Sequence, residues 1–169
     1  MQKTAIILWT SRSDWDTWGI VKNIQSKLSS TVFDLNKYEI SYYDYKQENL
    51  DDDFIALFIE IVTNYDHIMF ATPVYWYSMS AIMKTFFDRL SDFLWTDQDL
   101  KKLWKKLQWK KMYVVTTSNW NNIEEQFFIP FEETAKYMWM TYIDWIHIIN
   151  SETLEEKENK ISTLINKIK

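Results

Sequence analysis

Ala5-Ile6-Ile7-Leu8-Trp9-Thr10-Ser11-Arg12-Ser13-Asp14-Trp15-Asp16-Thr17 is an apolar run that empties into a loop dense in hydroxyls. Beyond Thr17 the apolar spacing becomes helical, with Ile20, Val21, Ile24 and Leu28 on one face and Asp16 or Thr17 placed as N-cap. A run without polar alternation is the mark of a strand covered on both faces, as in a parallel sheet. The signature returns at Ile68-Met69-Phe70-Ala71 and Met112-Tyr113-Val114-Val115, and a further strand is expected from Tyr142 through Ile148. One more fits residues 31–35 better than 40–43, because that spacing leaves room for a single crossover helix.

Helical patterns separate these strands. Asp51-Asp52-Asp53 puts negative charge at the start of a helix over 54–63, where it suits the helix dipole. Residues 80–93 stack Met83, Phe86, Phe87, Leu90 and Phe93 as a core stripe. A helix is expected over 124–140, with Pro130 as a local interruption or a new first turn. Thr153-Leu154-Glu155-Glu156 has capping-box spacing and opens a last helix burying Leu154, Ile161, Leu164, Ile165 and Ile168. The alternation predicts one α/β domain over 1–169: a doubly wound five-stranded parallel sheet, strand order 2-1-3-4-5, with helices on both faces. Ligands of such sheets sit at the carboxyl ends of the strands, beside the switch point. That rule singles out the loops at 9–17, 72–80 and 116–122.

A chain of 169 residues, 47% hydrophobic and 25% charged, can bury a full core. Its net charge of −5 argues against nucleic acid as a main partner. Without cysteine there are no disulfides or thiolate metal sites, and a reducing cytoplasm is the natural compartment. No window approaches the roughly 20 apolar residues of a membrane span. The composition is odd in one respect: ten tryptophans stand against a single glycine, Gly19.

The first loop combines hydroxyls, one arginine and a helix N-terminus, which together suit a phosphate; the alternative is a polar turn with an N-cap. It is not a Walker loop, because Gly-Lys-Ser/Thr is absent. In the second, Pro73 is expected to stop the strand, and Tyr75, Trp76 and Tyr77 follow. Exposed aromatics beside backbone amides suit a flat conjugated ring; they equally suit covering the sheet end or a subunit contact. His67 and His147 lack companions at metal-ligand spacing and read as structural or exposed, so no metal site is expected. The lysines at 101, 102, 105, 106, 110 and 111 read as a solvated helix face and loop.

Residues 72–89, Thr-Pro-Val-Tyr-Trp-Tyr-Ser-Met-Ser-Ala-x-Met-Lys-x-Phe-x-Asp-Arg, resemble the flavin-contact loop and following helix of the flavodoxin-like NAD(P)H-dependent FMN reductases and quinone reductases. The first loop resembles that family's Gly-Ser-Ser-Arg-x-x-Gly-Asn-Thr, with Trp9 and Trp15 in the glycine places and Asp16 in the asparagine place. Thr116-Thr117-Ser118-Asn119-Trp120-Asn121 is similar to a glycine-containing segment bordering the isoalloxazine. Glu125-Gln126-Phe127-Phe128-x-Pro130-Phe131 and Tyr137-Met138-Trp139-Met140 extend the likeness over essentially the whole chain.

The resemblance implies bound FMN and hydride exchange with NADPH or NADH, delivered to a quinone, flavin or other small aromatic acceptor. Thr10, Ser11, Arg12, Ser13, Asp16 and Thr17 would cradle the flavin phosphate. Pro73, Val74, Tyr75, Trp76 and Tyr77 would flank the ring on one side, and Thr117, Ser118, Asn119 and Trp120 on the other. Tyr77 is the candidate to touch the second substrate. A homodimer is implied as well, with no membrane partner. Two other readings stay open: a flavodoxin-like electron carrier without a nicotinamide site, and a flavin-free binding module. The third matters because indoles at 9, 15 and 120 stand where the loops need close backbone approach; they either splay the loops or point away.

Trp9, Trp15, Trp109, Trp120, Trp139 and Trp145 coincide with glycine in the family pattern, whereas Trp76 coincides with tryptophan. Random mutation does not convert one residue type so uniformly. A gene that uses UGA for glycine, translated with a code that reads UGA as tryptophan, gives this result. On that reading, Trp76 is encoded by UGG and the six others by UGA.

Overall fold

The computed structural model describes residues 2–11, 16–95, 98–121, 123 and 125–169, without the side chains of Trp95, Gln98 and Asp99. Arg12, Ser13 and Trp15, singled out above, lie outside the described residues, as does Glu124, the first residue of the helix expected over 124–140.

Five strands run parallel: β1 (Thr4–Leu8), β2 (Ser30–Asp34), β3 (His67–Tyr75), β5 (Lys111–Ser118) and β6 (Thr141–Ile149). Their spatial order is β2-β1-β3-β5-β6. The sheet has a sixth strand that the sequence reading did not foresee, β4 (Ser78–Met79), folded back antiparallel on β3 through Val74–Met79 and Tyr75–Ser78 pairs. With this short hairpin strand left out, the order is the expected 2-1-3-4-5. Trp76 and Tyr77 form the turn, at φ 50° and 63°. Two successive positive φ values are the signature of a tight two-residue hairpin.

The core explains the two-sided strand pattern. Ile6, Leu8, Met69, Ala71, Tyr113 and Val115 face one layer with Val21 and Ile24 of α1 (Asp16–Lys27) and Ile161, Leu164, Ile165 and Ile168 of α7 (Leu154–Ile168). Their sequence neighbours Ala5, Ile7, Ile68, Phe70, Met112 and Val114 face the other layer. That layer is built from α2 (Asp53–Asn64), α3 (Ala81–Arg89) and α6 (Ile129–Tyr137). Successive side chains of a strand point to opposite faces, so an unbroken apolar run requires a helix layer on each side.

Several local expectations shift. Pro73 does not end β3, which continues to Tyr75 with Pro73 in register with Thr117. β1 pairs β3 only as far as Leu8–Ala71, so no neighbour on that side requires an N–H from residue 73. Asp16 and Thr17 open α1, Asp16 at φ 30°, and their side chains bond Asn150 and Thr117. The helix expected over 80–93 is broken. Ser80 caps α3, the amides of Leu90 and Ser91 tighten onto the carbonyls of Phe87 and Asp88, and α4 (Asp92–Trp95) follows.

Pro130 sits in the first turn of α6, after a 3-10 turn at Glu125–Phe127. The Thr153–Glu156 capping box forms as expected, although Leu154 is 86% exposed rather than buried. The lysine-rich segment holds α5 (Gln98–Trp104), which the sequence reading did not delimit. No helix among the described residues is long and apolar enough to cross a membrane.

Candidate functional site

Parallel register brings the three loops to one height. Leu8 pairs with Ala71, Ala71 with Val115, Thr72 with Thr116 and Pro73 with Thr117. Since β1 has β2 on one side and β3 on the other, the connections leaving β1 and β3 diverge and open a crevice at the strand ends. A cavity of about 310 Å³ occupies it. The first loop and α1 contribute Thr10, Ser11, Asp16 and Thr17; β3 contributes Pro73, Val74 and Tyr75; β5 and the residues after it contribute Thr117, Ser118, Asn119 and Trp120. Asn150, just past β6, completes the lining.

Hydrogen bonds tie these segments together across the cavity. The hydroxyls of Thr17 and Thr117, 100 positions apart in the chain, lie 2.7 Å from each other in a buried pair. Ser11 and Tyr75 hydroxyls meet at 2.9 Å and join the first loop to the end of β3. Asn36 donates to the Thr10 carbonyl at 2.9 Å, fixing the chain as it leaves β1. The Asn150 amide donates to Asp16 Oδ2 at 2.9 Å and to Asn119 Oδ1 at 2.5 Å, while its backbone N–H donates to the Ser118 carbonyl at 2.9 Å. Behind β3, Thr72 and Ser80 are buried and bonded together, with Ser80 accepting the Met83 amide as the α3 cap.

Ser118 is the most heavily engaged group of the third loop. Its Oγ accepts the Trp120 N–H at 3.2 Å, lies 2.7 Å from the Trp120 carbonyl, and lies 2.7 Å from His147 Nε2. Burial pushes the His147 imidazole below its ordinary value; Lys160 reinforces the shift and Glu152 opposes it. The imidazole is therefore neutral near pH 7, and because the Ser118 hydroxyl donates to the Trp120 carbonyl, it is the His147 Nε2–H that donates to the serine oxygen.

Of the residues proposed from sequence, Thr10, Ser11, Asp16, Thr17, Pro73, Val74, Tyr75, Thr117, Ser118, Asn119 and Trp120 converge on this one cavity. Arg12 and Ser13 lie outside the described residues. Trp76 and Tyr77 stand on the hairpin turn, 92% and 67% exposed, and do not line the cavity. Trp9 leaves the cavity open by turning aside: its ring meets Tyr75 edge-on, with centroids 5.9 Å apart, and packs on the α2–α3 layer of the core. Asn150 and His147 were not foreseen as site residues. The one available signal was that both fall at the carboxyl end of the last strand, level with the other loops.

The lining offers hydroxyl and amide groups at one end and a Pro-Val-Tyr edge at another, and its volume is at the lower end for small-molecule sites. Residues 19–169 match the model of a family described as having a flavodoxin-like fold. Similar solved structures include the Trp repressor binding protein from Bacillus subtilis (TM-score 0.73, 20% identity, 96% of this chain and 97% of that one). A protein from P. pentosaceus described as an NADPH-quinone reductase matches with TM-score 0.66 and 18% identity over 96% and 95% of the two chains. An NAD(P)H:quinone oxidoreductase from Methanothermobacter marburgensis matches at TM-score 0.64 and 13% identity, over 96% and 92%. No curated protein sequence matches the chain. With nearly its whole length matched by the family model, the chain belongs to the flavodoxin-like fold family.

Proposed function

We propose that this protein is a flavin-dependent NAD(P)H oxidoreductase whose cofactor is FMN. The observation that carries the reading is the convergence of the three resembling loops on a single cavity at the switch point. The residues fit a flavin ring. Pro73, Val74 and Tyr75 offer an apolar edge, and Thr117, Ser118 and Asn119 offer polar groups for the heteroatom-rich edge opposite. Thr10, Ser11 and Thr17, beside the α1 N-terminus, would face the ribityl-phosphate end.

A bound flavin supplies two-electron transfer between a reduced nicotinamide and a small aromatic acceptor. The chain's own work is orientation and exclusion of water. The Thr17–Thr117 and Ser11–Tyr75 pairs hold the walls at fixed spacing, and Ser118 is held by its own loop and His147. Such preorganisation lets a ring be gripped without rearranging the loops. Tyr77, exposed one turn beyond Tyr75, is free to meet an incoming substrate.

Anaerobic titration of the flavin-loaded protein with NADPH and NADH tests the reading. Loss of the oxidised-flavin absorbance with either nicotinamide is the expected result. A flavin that stays oxidised with both replaces it with the electron-carrier reading, and a protein that takes up no flavin replaces it with a binding module.

A further inference from the structure

Ser118 lines the cavity, but its hydroxyl is spent within the protein. A serine side chain has one proton to give and two lone pairs to receive with. The proton goes to the Trp120 carbonyl at 2.7 Å, and the lone pairs take the Trp120 N–H at 3.2 Å and the His147 Nε2–H at 2.7 Å. What Ser118 contributes is therefore the shape of the turn it closes. Both of its contacts at position 120 are to main chain, so they hold whichever residue stands there.

Asn119 is at the apex of that turn, exposed and on the cavity lining. Its Oδ1 accepts the Asn150 amide at 2.5 Å, which leaves the NH2 end of Asn119 without a partner among the described residues. The third loop thus presents one spare side-chain donor, on a turn fixed through Ser118. His147, which supplies the outer bond to that serine, does not line the cavity. It stands on β6 in register with Thr116, and its carbonyl accepts Lys160 Nζ at 2.7 Å from α7. A donor mounted on a paired strand is a rigid reference for a loop.

We propose that His147 is a positioning residue for the flavin ring. It acts through Ser118: its Nε2–H fixes the serine oxygen, the serine closes the 118–120 turn, and the turn holds the Asn119 NH2 toward an oxygen on the polar edge of the ring. The inference rests on the flavin reading above and adds a residue outside the cavity to the machinery that orients the ring.

The test combines the tautomer of His147 with flavin binding. In the apoprotein, 15N NMR of the histidine side chains is expected to show His147 protonated at Nε2 and bare at Nδ1. FMN titrations then compare the natural chain with His147→Leu, His147→Gln, Asn119→Leu and the double variant His147→Leu/Asn119→Leu. His147→Leu is expected to weaken FMN by about tenfold, the scale of one lost hydrogen bond, and to move the bound-flavin absorbance toward that of free flavin. His147→Gln, whose amide N–H stands near the place of Nε2–H, should recover affinity to within about threefold. Asn119→Leu should weaken FMN as His147→Leu does, and the double variant should bind no more weakly than either single one, because both changes remove the same contact.

A proton on Nδ1 with none on Nε2 overturns the inference, and that measurement needs no variant to fold and no flavin to bind. Unchanged FMN affinity in His147→Leu, or losses that simply add in the double variant, also overturn it and leave the flavin reading intact. If the natural chain takes up no flavin, the flavin reading itself falls, and this inference with it.

Discussion

The backbone N–H of Trp109 donates to the carbonyl of Trp139 at 2.9 Å, and both tryptophans stand in the left-handed region, at φ 70° and 56°. One ends the turn before β5 and the other ends the turn before β6, so a single hydrogen bond staples two adjacent strand entries. A side chain with a Cβ costs about 1–2 kcal/mol in this region, and glycine costs nothing sterically. Trp109 is 82% exposed and gains little from packing, whereas Trp139 meets Trp104 edge-on at 5.5 Å. Trp109→Gly is therefore expected to stabilise the fold by about 0.5–1 kcal/mol after the extra unfolded-state entropy of glycine is counted. Trp139→Gly should gain less, because it loses the Trp104 contact. Urea unfolding of the two variants measures both, and a net loss at position 109 would remove the argument.

The same backbone bears on the coding sequence. Among the described positions where tryptophan coincides with family glycine, 109 and 139 are at positive φ, while Trp9, Trp120 and Trp145 are not. Trp76 shares the positive φ although the family pattern there has tryptophan, so backbone conformation by itself does not separate it. The expected triplets remain UGA at 9, 15, 109, 120, 139 and 145 and UGG at 76. Trp9 adds a separate sign of misfit: its buried Nε1 has no hydrogen-bond partner among the described residues. Sequencing the gene decides the matter, and UGG at 109 and 139 ends it.

Gly19 is the fourth residue of α1, at an exposed position where a Cβ would meet nothing within 4 Å. The chain's one glycine thus sits where glycine only weakens a helix. Gly19→Ala is expected to raise stability by about 0.5–1 kcal/mol. A rise in melting temperature with unchanged far-UV dichroism would show it.

Arg89 is fully buried at the end of α3 and pairs with Asp92 and with Asp52, the N-cap of α2. It also donates to the carbonyls of Ser41 and Asn49, at 3.1 and 3.2 Å, so one guanidinium pins the 41–52 segment to two helices. Burial pushes the Arg89 charge toward loss, but its two carboxylate partners outweigh that and hold it protonated. Arg89→Met leaves two carboxylates facing each other without a cation and should cost roughly 3–5 kcal/mol. Denaturant unfolding should show that loss; a change under 1 kcal/mol would mean the segment is anchored by other means.

Acid should destabilise the fold through its histidines. Burial, helped by Lys111 and opposed by Asp66, holds His67 below its ordinary value, and His147 is lowered by burial and Lys160. A group whose folded value lies below its unfolded one binds more protons when unfolded, so its contribution is complete above about pH 6.5 and disappears as pH falls through the folded value. Melting temperatures should accordingly drop as pH falls below about 6.5. His67→Gln should flatten that dependence, and an unaltered slope would assign the acid loss to carboxylates instead.

Much of the architecture was legible because it is written locally. Ile6-Ile7-Leu8 announces a two-sided strand within three residues, and Thr153 with Glu156 closes a capping box within one turn. The hydroxyls of the first and third loops were legible for the same reason, since their place after apolar strands marks them as strand-end loops.

What tertiary structure decided is which of these residues meet. Thr17 reaches Thr117, Asn150 reaches Asp16 and Asn119, and Ser118 reaches His147 only because β1, β3, β5 and β6 pair in one particular register. Likewise, the positive φ of Trp76 and Tyr77 comes from β4 folding back on β3, which no periodicity in that aromatic run reveals. Side-chain spacing along the chain records the local period of helix and strand. The registers that bring distant loops to one cavity come from the packing of whole layers, and that information is spread over the entire core.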